Sequence, residues 1–225
     1  MKNINFVSSV KISVRSVVKQ NFVFFAKNFA CFAVNLLNLK MLTLNFTKFP
    51  ILETDRLILR EHDLADAEAL FAMRTNETVM KYIDRERPKD IFEIKDFISR
   101  FRNGYENGDN LAWVIALKEN PEQMIGSVGY WRTDFANHRA EIGYMLHPDY
   151  WRKGIISEAL KRSIAFGFEE VNLHTISANI NVENDASRQM LIKHGFVKEA
   201  HFKQDYYFRG QFLDSEIYGL LNPNH

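Results

Sequence analysis

The hydrophobic period changes at one place in this 225-residue chain, and that change restricts the fold more than any other feature. Before Pro148, the runs Leu111–Leu117, Met124–Arg132 and His138–Leu146 read as three strands, separated by turns at Glu119–Glu122 and Thr133–Asn137. After it, Ile155, Ile156, Ala159, Leu160, Ile164 and Phe168 recur at helical spacing, which predicts a helix from about Arg152 to Glu169. The β-rich run His174–Ile180 follows. An antiparallel series leading into a strand–helix–strand crossover implies a mixed sheet flanked by helices, an α+β (mixed α/β) domain.

The flanking segments agree. Arg56–Arg60 reads as a short strand, and Asp63 caps a helix reaching about Arg74. A short helix is expected over Thr78–Ile83. Pro88 opens a longer one, with Ile91, Ile94, Phe97, Ile98 and Phe101 on one face, fading at Asn103-Gly104. Asp185–His194 reads as a short helix stopped by Gly195, and Phe196–Tyr207 with Gln211–Leu220 as a closing hairpin. No internal repeat or linker interrupts residues 51–225, which are expected to form one domain.

Residues 1–50 differ in kind. The first 52 residues hold seven basic residues and no acidic one, so the formal net charge of +1 is an average. Taking those seven from 29 leaves 22 basic against 28 acidic residues, a balance of −6 from Glu53 onward. A nucleic-acid-binding domain shows the opposite balance, and none is expected as a partner. The basic leader is open to three readings: a signal or transit peptide, a membrane-surface segment, or a start codon assigned upstream of Met41. Its most apolar stretch, Asn21–Leu37, is broken by Lys27, Asn28 and Asn35 and fails as a membrane-spanning helix. No membrane association is expected of the body. The lone cysteine, Cys31, lies in the leader, so the body has no thiol nucleophile, disulfide or cysteine metal site. That fits a reducing, cytoplasmic setting. The histidines show no paired metal spacing, and no metal is expected.

The chemistry is concentrated where the period changes. A strand ends at His147-Pro148, and a helix starts around Gly154, preceded by Arg152 and Lys153. The first turn of a helix presents unpaired N–H groups and the positive end of its dipole. Two cations and a glycine allowing close backbone approach make that turn suitable for a diphosphate, the alternative being an ordinary basic capping loop. There is no P-loop, and Gly126-Ser127-Val128-Gly129 is one residue short of a nucleophile elbow.

Five segments in order resemble the GNAT superfamily of N-acetyltransferases, and within it the ribosomal-protein-alanine N-acetyltransferase branch. They are Leu52-Glu53-Thr54-Asp55-Arg56-Leu57-Ile58-Leu59-Arg60, Ala140–Tyr144, Tyr150–Gly154, Asn184–Ser187 with His194-Gly195-Phe196, and Asp205–Gly210 with Asp214 and Tyr218. Two loop positions depart from the family pattern Q/R-x-x-G-x-G/A. Trp151 stands for Gln or Arg, and Ile156 for Gly or Ala, so the direction of its side chain decides the room left for diphosphate.

The resemblance implies the GNAT acyl-CoA N-acyltransferase fold, with a mostly antiparallel central sheet flanked by helices. It implies transfer of an acetyl group from acetyl-CoA, as co-substrate, to a primary amine by direct attack. The acceptor it favours is a protein N-terminus. The alternatives are a small amine (polyamine, amino acid or aminoglycoside) or a non-catalytic acyl-CoA-binding module. On this reading the diphosphate lies on Arg152, Lys153, Gly154, Ile155, Ile156 and Ser157. The pantetheine arm pairs with the backbone of Met145, Leu146 and His147, and an N–H near Met145–Leu146 meets the developing oxyanion. Glu141 is the candidate base, with a sheet-edge carboxylate paired to a cation as the alternative. Ser187 serves the departing thiolate, and Asn184 caps its helix within reach of the pantetheine. Tyr206 stands where some members carry a glutamate that orients the amine, and is counted with the catalytic residues, as a donor or as a wall of the substrate pocket. Tyr130 and Trp131 are expected to line the acceptor groove.

Overall fold

The computed structural model describes residues 42, 44 and 46–224. The expectations for the leader before Leu42, Cys31 included, fall outside them. Eight strands form one sheet: β1 (Leu52–Glu53), β2 (Leu57–Arg60), β3 (Leu111–Leu117), β4 (Gly126–Asp134), β5 (Arg139–Leu146), β6 (Thr175–Asn181), β7 (Val197–Phe208) and β8 (Gln211–Leu221). Their order is β1-β2-β3-β4-β5-β6-β8-β7. Every neighbouring pair is antiparallel except β5–β6. Four α-helices, α1 (Ala67–Thr75), α2 (Ile91–Glu106), α3 (Ile155–Glu169) and α4 (Asp185–Lys193), complete the described fold. None of its helices is long and apolar enough to cross a membrane.

Local chemistry moves three boundaries from where the sequence pattern set them. Residues Thr78–Ile83 form turns rather than a helix, because Asn76 Oδ1 accepts from both the Thr78 and Val79 N–H groups and closes a local turn. Pro88 does not open α2. Asp90, extended, accepts from the Glu93 N–H and sets the start at Ile91. Helix α3 begins at Ile155 and not Arg152, since Arg152 (φ 59°) and Gly154 (φ 77°) are left-handed and cannot belong to a right-handed helix.

Alternation along the strands gives the sheet two apolar faces. One packs Trp113, Val128, Tyr130, Ile142 and Leu146 against Ile155, Leu160 and Phe166 of α3. The other packs Val114 and Met124 against Leu70 and Met73 of α1 and Ile94 and Ile98 of α2. The packed chain begins earlier than residue 51. Leu42 and Leu44 are buried in the α3-side core, the Phe46 ring lies 5.3 Å from Phe166, and Trp113 Nε1 donates to the Pro50 carbonyl. The 50/51 boundary therefore cuts through chain that the core holds.

Candidate functional site

Strands β5 and β6 pair only at Arg139–Thr175, Ala140–Ile176 and Glu141–Ser177. Beyond that point β6 continues on β8 to Asn181 and β5 continues on β4 to Leu146, so the two parallel strands part. The result is a gap in the sheet with an unpaired backbone edge on β5. The register decides which groups it offers. The His147 N–H is given to the carbonyl of Ile125, the residue before β4, so by alternation Met145 also faces β4, and Tyr144 and Leu146 face the gap. Met145 and His147 are therefore not backbone partners for a ligand there. The Leu146 carbonyl already accepts from Trp151 Nε1 at 2.8 Å, which leaves its N–H and the Tyr144 peptide. The sequence departure at Trp151 thus has a task, pinning the loop to the end of β5.

That loop leads into α3. Its helical bonding starts with Glu158 N–H to Gly154 O, so the N–H groups of Ile155, Ile156 and Ser157 have no intrahelical partner. Arg152 and Lys153 are exposed beside them, with Lys153 Nζ over the Tyr150 ring at 5.4 Å. Ile155 is buried, and Ile156 is half-buried against the core rather than open to solvent. Ser157 Oγ is hydrogen-bonded to His194 Nε2 at 2.9 Å, tying the start of α3 to the end of α4. Burial, Lys193 and Lys161 together push the His194 imidazole below its ordinary value.

On the α3 side of the gap, Tyr144 Oη and Ser187 Oγ lie 2.7 Å apart. Burial pushes the Tyr144 phenol up to about 12 against the opposing effect of its hydrogen bond with Ser187, so it keeps its proton throughout the neutral range. Asn184 is the cap of α4, its Oδ1 accepting from the Ser187 N–H at 3.1 Å. The helix is anchored through the next residue. Arg188 Nε donates to Glu216 Oε2 of β8 at 3.0 Å, and the same carboxylate accepts from Lys198 and from Tyr218. Burial raises the Glu216 carboxyl, but these three donors more than offset it and hold it at about 2.

The opposite face carries other groups. Glu141 pairs with Arg132 at 2.9 Å, and Trp131 lies beside it, its indole against Gly143 and its ring 4.8 Å from Phe101. Tyr206 Oη donates to Asp84 Oδ2 at 2.5 Å, and Asn181 Nδ2 reaches the same oxygen at 3.2 Å. Burial, followed by this bond to Asp84, raises the Tyr206 phenol. A cavity of about 350 Å³ opens next to them, lined by Lys81, Asp84, Asn181, Glu183, Arg209 and Asp214 among others. Tyr130 does not line a groove. It is fully buried on the α3 side, its hydroxyl donating to Ser163 O at 2.7 Å. Adjacent strand residues face opposite ways, so Tyr130 and Trp131 could not share one wall.

The gap thus separates two sets of groups. Glu141, Trp131, Asp84 and Tyr206 approach from the α1–α2 side, and Tyr144 and Ser187 from the α3–α4 side. Sequence reasoning missed Tyr144 and Asp84. Alternation along β5 could have placed Tyr144 opposite Glu141, while the loop holding Asp84 carries no pattern. Among the described residues, no group of three or more His, Cys, Asp or Glu is placed to hold a metal ion.

Residues 56–197 match the family model described as an acetyltransferase (GNAT) domain. The chain is 37% identical over 175 residues to an uncharacterised N-acetyltransferase, YoaA, of Bacillus subtilis (strain 168), covering 78% of this chain and 98% of that one. Among solved structures, a ribosomal-protein-S5-alanine acetyltransferase from Vibrio fischeri superposes with TM-score 0.68 at 26% identity, covering 78% of this chain and 98% of that one. A spermidine N-acetyltransferase from Vibrio cholerae, in complex with CoA and spermine, gives 0.67 at 21% identity, with 75% and 97% covered.

Proposed function

Because the chain belongs to the GNAT acetyltransferase domain family, we propose that it moves an acetyl group from acetyl-CoA to the α-amine of a protein N-terminus, of the ribosomal-protein kind. Its class is acetyl-CoA-dependent N-acetyltransferase. The acceptor is our reading, and one observation carries it. The cavity on the acceptor side presents Lys81 and Arg209 alongside Asp84, Glu183 and Asp214. The two cations interrupt the three carboxylates, so a polyamine, positive along its length, meets like charge at Lys81 and at Arg209 where an unbroken acidic track would suit it. A peptide carries one ammonium at its end and mixed charge behind it, which suits a mixed lining.

The proton balance supports the same acceptor. Attack requires a neutral amine, and an α-amine (about 7.7–8.0) loses its proton near neutrality far more readily than a lysine-type amine (about 10.4). Glu141 is the carboxylate nearest the gap on β5, and Arg132 already holds it. It takes the amine proton directly or through water.

The residues present fit the cofactor. The free N–H groups of Ile155–Ser157, with Arg152 and Lys153, are donors for a diphosphate, and the Tyr144 and Leu146 edge is a partner for the pantetheine amides. With the thioester in the gap, the amine arrives from the Glu141 face. The Leu146 N–H supports charge on the thioester oxygen, and the Ser187 hydroxyl donates a hydrogen bond to the departing sulfur, which leaves as a thiolate. We expect thiol release from acetyl-CoA to proceed with kcat/KM at least tenfold higher on peptides with free N-termini than on spermidine. Peptides with blocked N-termini should give none. Spermidine turning over faster than every peptide would overturn the assignment.

A further inference from the structure

The turn between β1 and β2 bears on the cofactor loop from outside it. Glu158 lies in the first turn of α3, where a carboxylate would face an incoming diphosphate. It is covered instead: Oε1 accepts from Thr54 Oγ1 at 2.5 Å and from the Arg56 N–H at 3.0 Å. Arg56 adds a two-pronged contact to Oε2, Nε at 2.7 Å and Nη2 at 2.6 Å. The remaining prong, Nη1, donates to the Lys153 carbonyl at 3.0 Å. One guanidinium therefore spans the loop. It lies so close over Gly154 that a Cβ there would sit 3.5 Å from Nη2. The carbonyl it holds belongs to Lys153, the residue between Arg152 and Gly154, the two left-handed residues that shape the turn. Burial raises the Glu158 carboxyl, and the bonds from Thr54 and Arg56 more than offset this, keeping it ionised.

We propose that Arg56 is a positioning residue for acetyl-CoA: it fixes the diphosphate loop through the Lys153 carbonyl and neutralises Glu158, so that a loop built for an anion does not present one. The proposal rests on placing the diphosphate at Lys153–Ser157. Two forces predict the outcome of losing Arg56. The loop loses its tie, and Glu158, still bonded by Thr54 and the residue-56 N–H, is left without a counter-charge at a helix start where the ligand is also negative.

Titration calorimetry with CoA, together with steady-state kinetics, tests it. Arg56→Ala should weaken CoA binding tenfold or more and raise KM for acetyl-CoA at least five times more than it lowers kcat. Raising the ionic strength should shrink the defect, because exposed charge repulsion is screened. Adding Glu158→Gln to Arg56→Ala should recover most of the lost affinity, and Arg56→Lys should fall between wild type and Arg56→Ala. A double variant no tighter than Arg56→Ala, or an Arg56→Ala that binds CoA as well as wild type, overturns the proposal. Acetyl-pantetheine, which lacks the diphosphate, separates the two levels of inference. If wild type binds it as tightly as acetyl-CoA, the diphosphate placement itself fails. If wild type prefers acetyl-CoA but Arg56→Ala weakens both ligands equally, the placement stands and the clamp fails.

Discussion

Replacing Ser187 with alanine is expected to lower kcat about a hundredfold while leaving acetyl-CoA affinity within about threefold, a loss in the range of a single hydrogen-bond donor. The reasoning starts from the hydroxyl's one hydrogen. Ser187 Oγ stands 2.7 Å from Tyr144 Oη, and Tyr144 is half-buried, its phenol kept protonated. When Tyr144 donates to Ser187, the serine hydrogen is left to point at the gap, where the sulfur departs. The Asn184 cap and the Arg188–Glu216 anchor hold the serine's backbone in that place. Removing Oγ therefore removes a donor that works only as charge builds on sulfur, which lowers kcat rather than binding. Tyr144→Phe should cost about tenfold, because Ser187 keeps its hydrogen but loses the partner that aims it. The double variant should be little worse than Ser187→Ala, since the two act as a unit. Single-turnover kinetics with saturating acetyl-CoA reads all three. A Ser187→Ala enzyme with unchanged kcat and weakened cofactor binding would remove the serine from the chemistry.

Much of this site was legible before any coordinates. The period change at Pro148 located the crossover, and Arg152, Lys153 and Gly154 located the helix start that leaves N–H groups free. What could not be read depends on distance along the chain. Arg56 meets Glu158 across 102 residues, and Tyr206 meets Asp84 across 122. Neither pair leaves a local pattern, because each partner alone is an ordinary turn or loop residue. A second kind of miss was avoidable. Strand parity fixes that Tyr130 and Trp131 face opposite sides and that Tyr144 lies across β5 from Glu141. Applied before the structure, it would have sent Tyr130 to the core, where its hydroxyl meets Ser163 O. It would also have placed Glu141 and the Tyr144–Ser187 pair on opposite faces. Helix starts escape the sequence pattern for a third reason. Periodicity reports which residues could be helical, while the start is set by a capping side chain or a left-handed residue, as at Asp90 and Gly154.

The largest stability effect should be acid-driven and should centre on His62. Its ring follows β2, is 5% exposed and packs edge-on to Phe101 at 5.3 Å. Among the described residues its Nδ1 has no hydrogen-bond partner. Burial holds the imidazole down at about 4, with Asp66 opposing and Arg60 reinforcing that shift. Arg60 holds both Asp66 oxygens, at 2.9 and 2.7 Å, so the carboxylate that opposes the shift is already engaged. The unfolded chain titrates this histidine at 6.5. Between pH 6.5 and 4 the unfolded state therefore binds a proton that the folded state refuses, so stability falls as pH falls through that window. A gap of that size corresponds to about 3 kcal/mol, a large share of a domain's margin of roughly 5–15 kcal/mol. Glu216 acts lower. Its folded value near 2 against 4.5 unfolded keeps its contribution intact until pH drops below 4.5. Urea unfolding of wild type and His62→Leu at pH 7, 5.5 and 4.5 separates the two. Leucine removes both the titrating group and the unpartnered nitrogen, which is close to neutral for stability at pH 7. The two proteins should then diverge on acidification, the variant losing less by about 2–3 kcal/mol at pH 4.5. Parallel losses in both would mean that the folded state takes up the proton as readily as the unfolded chain, and that His62 is not the group that opposes it.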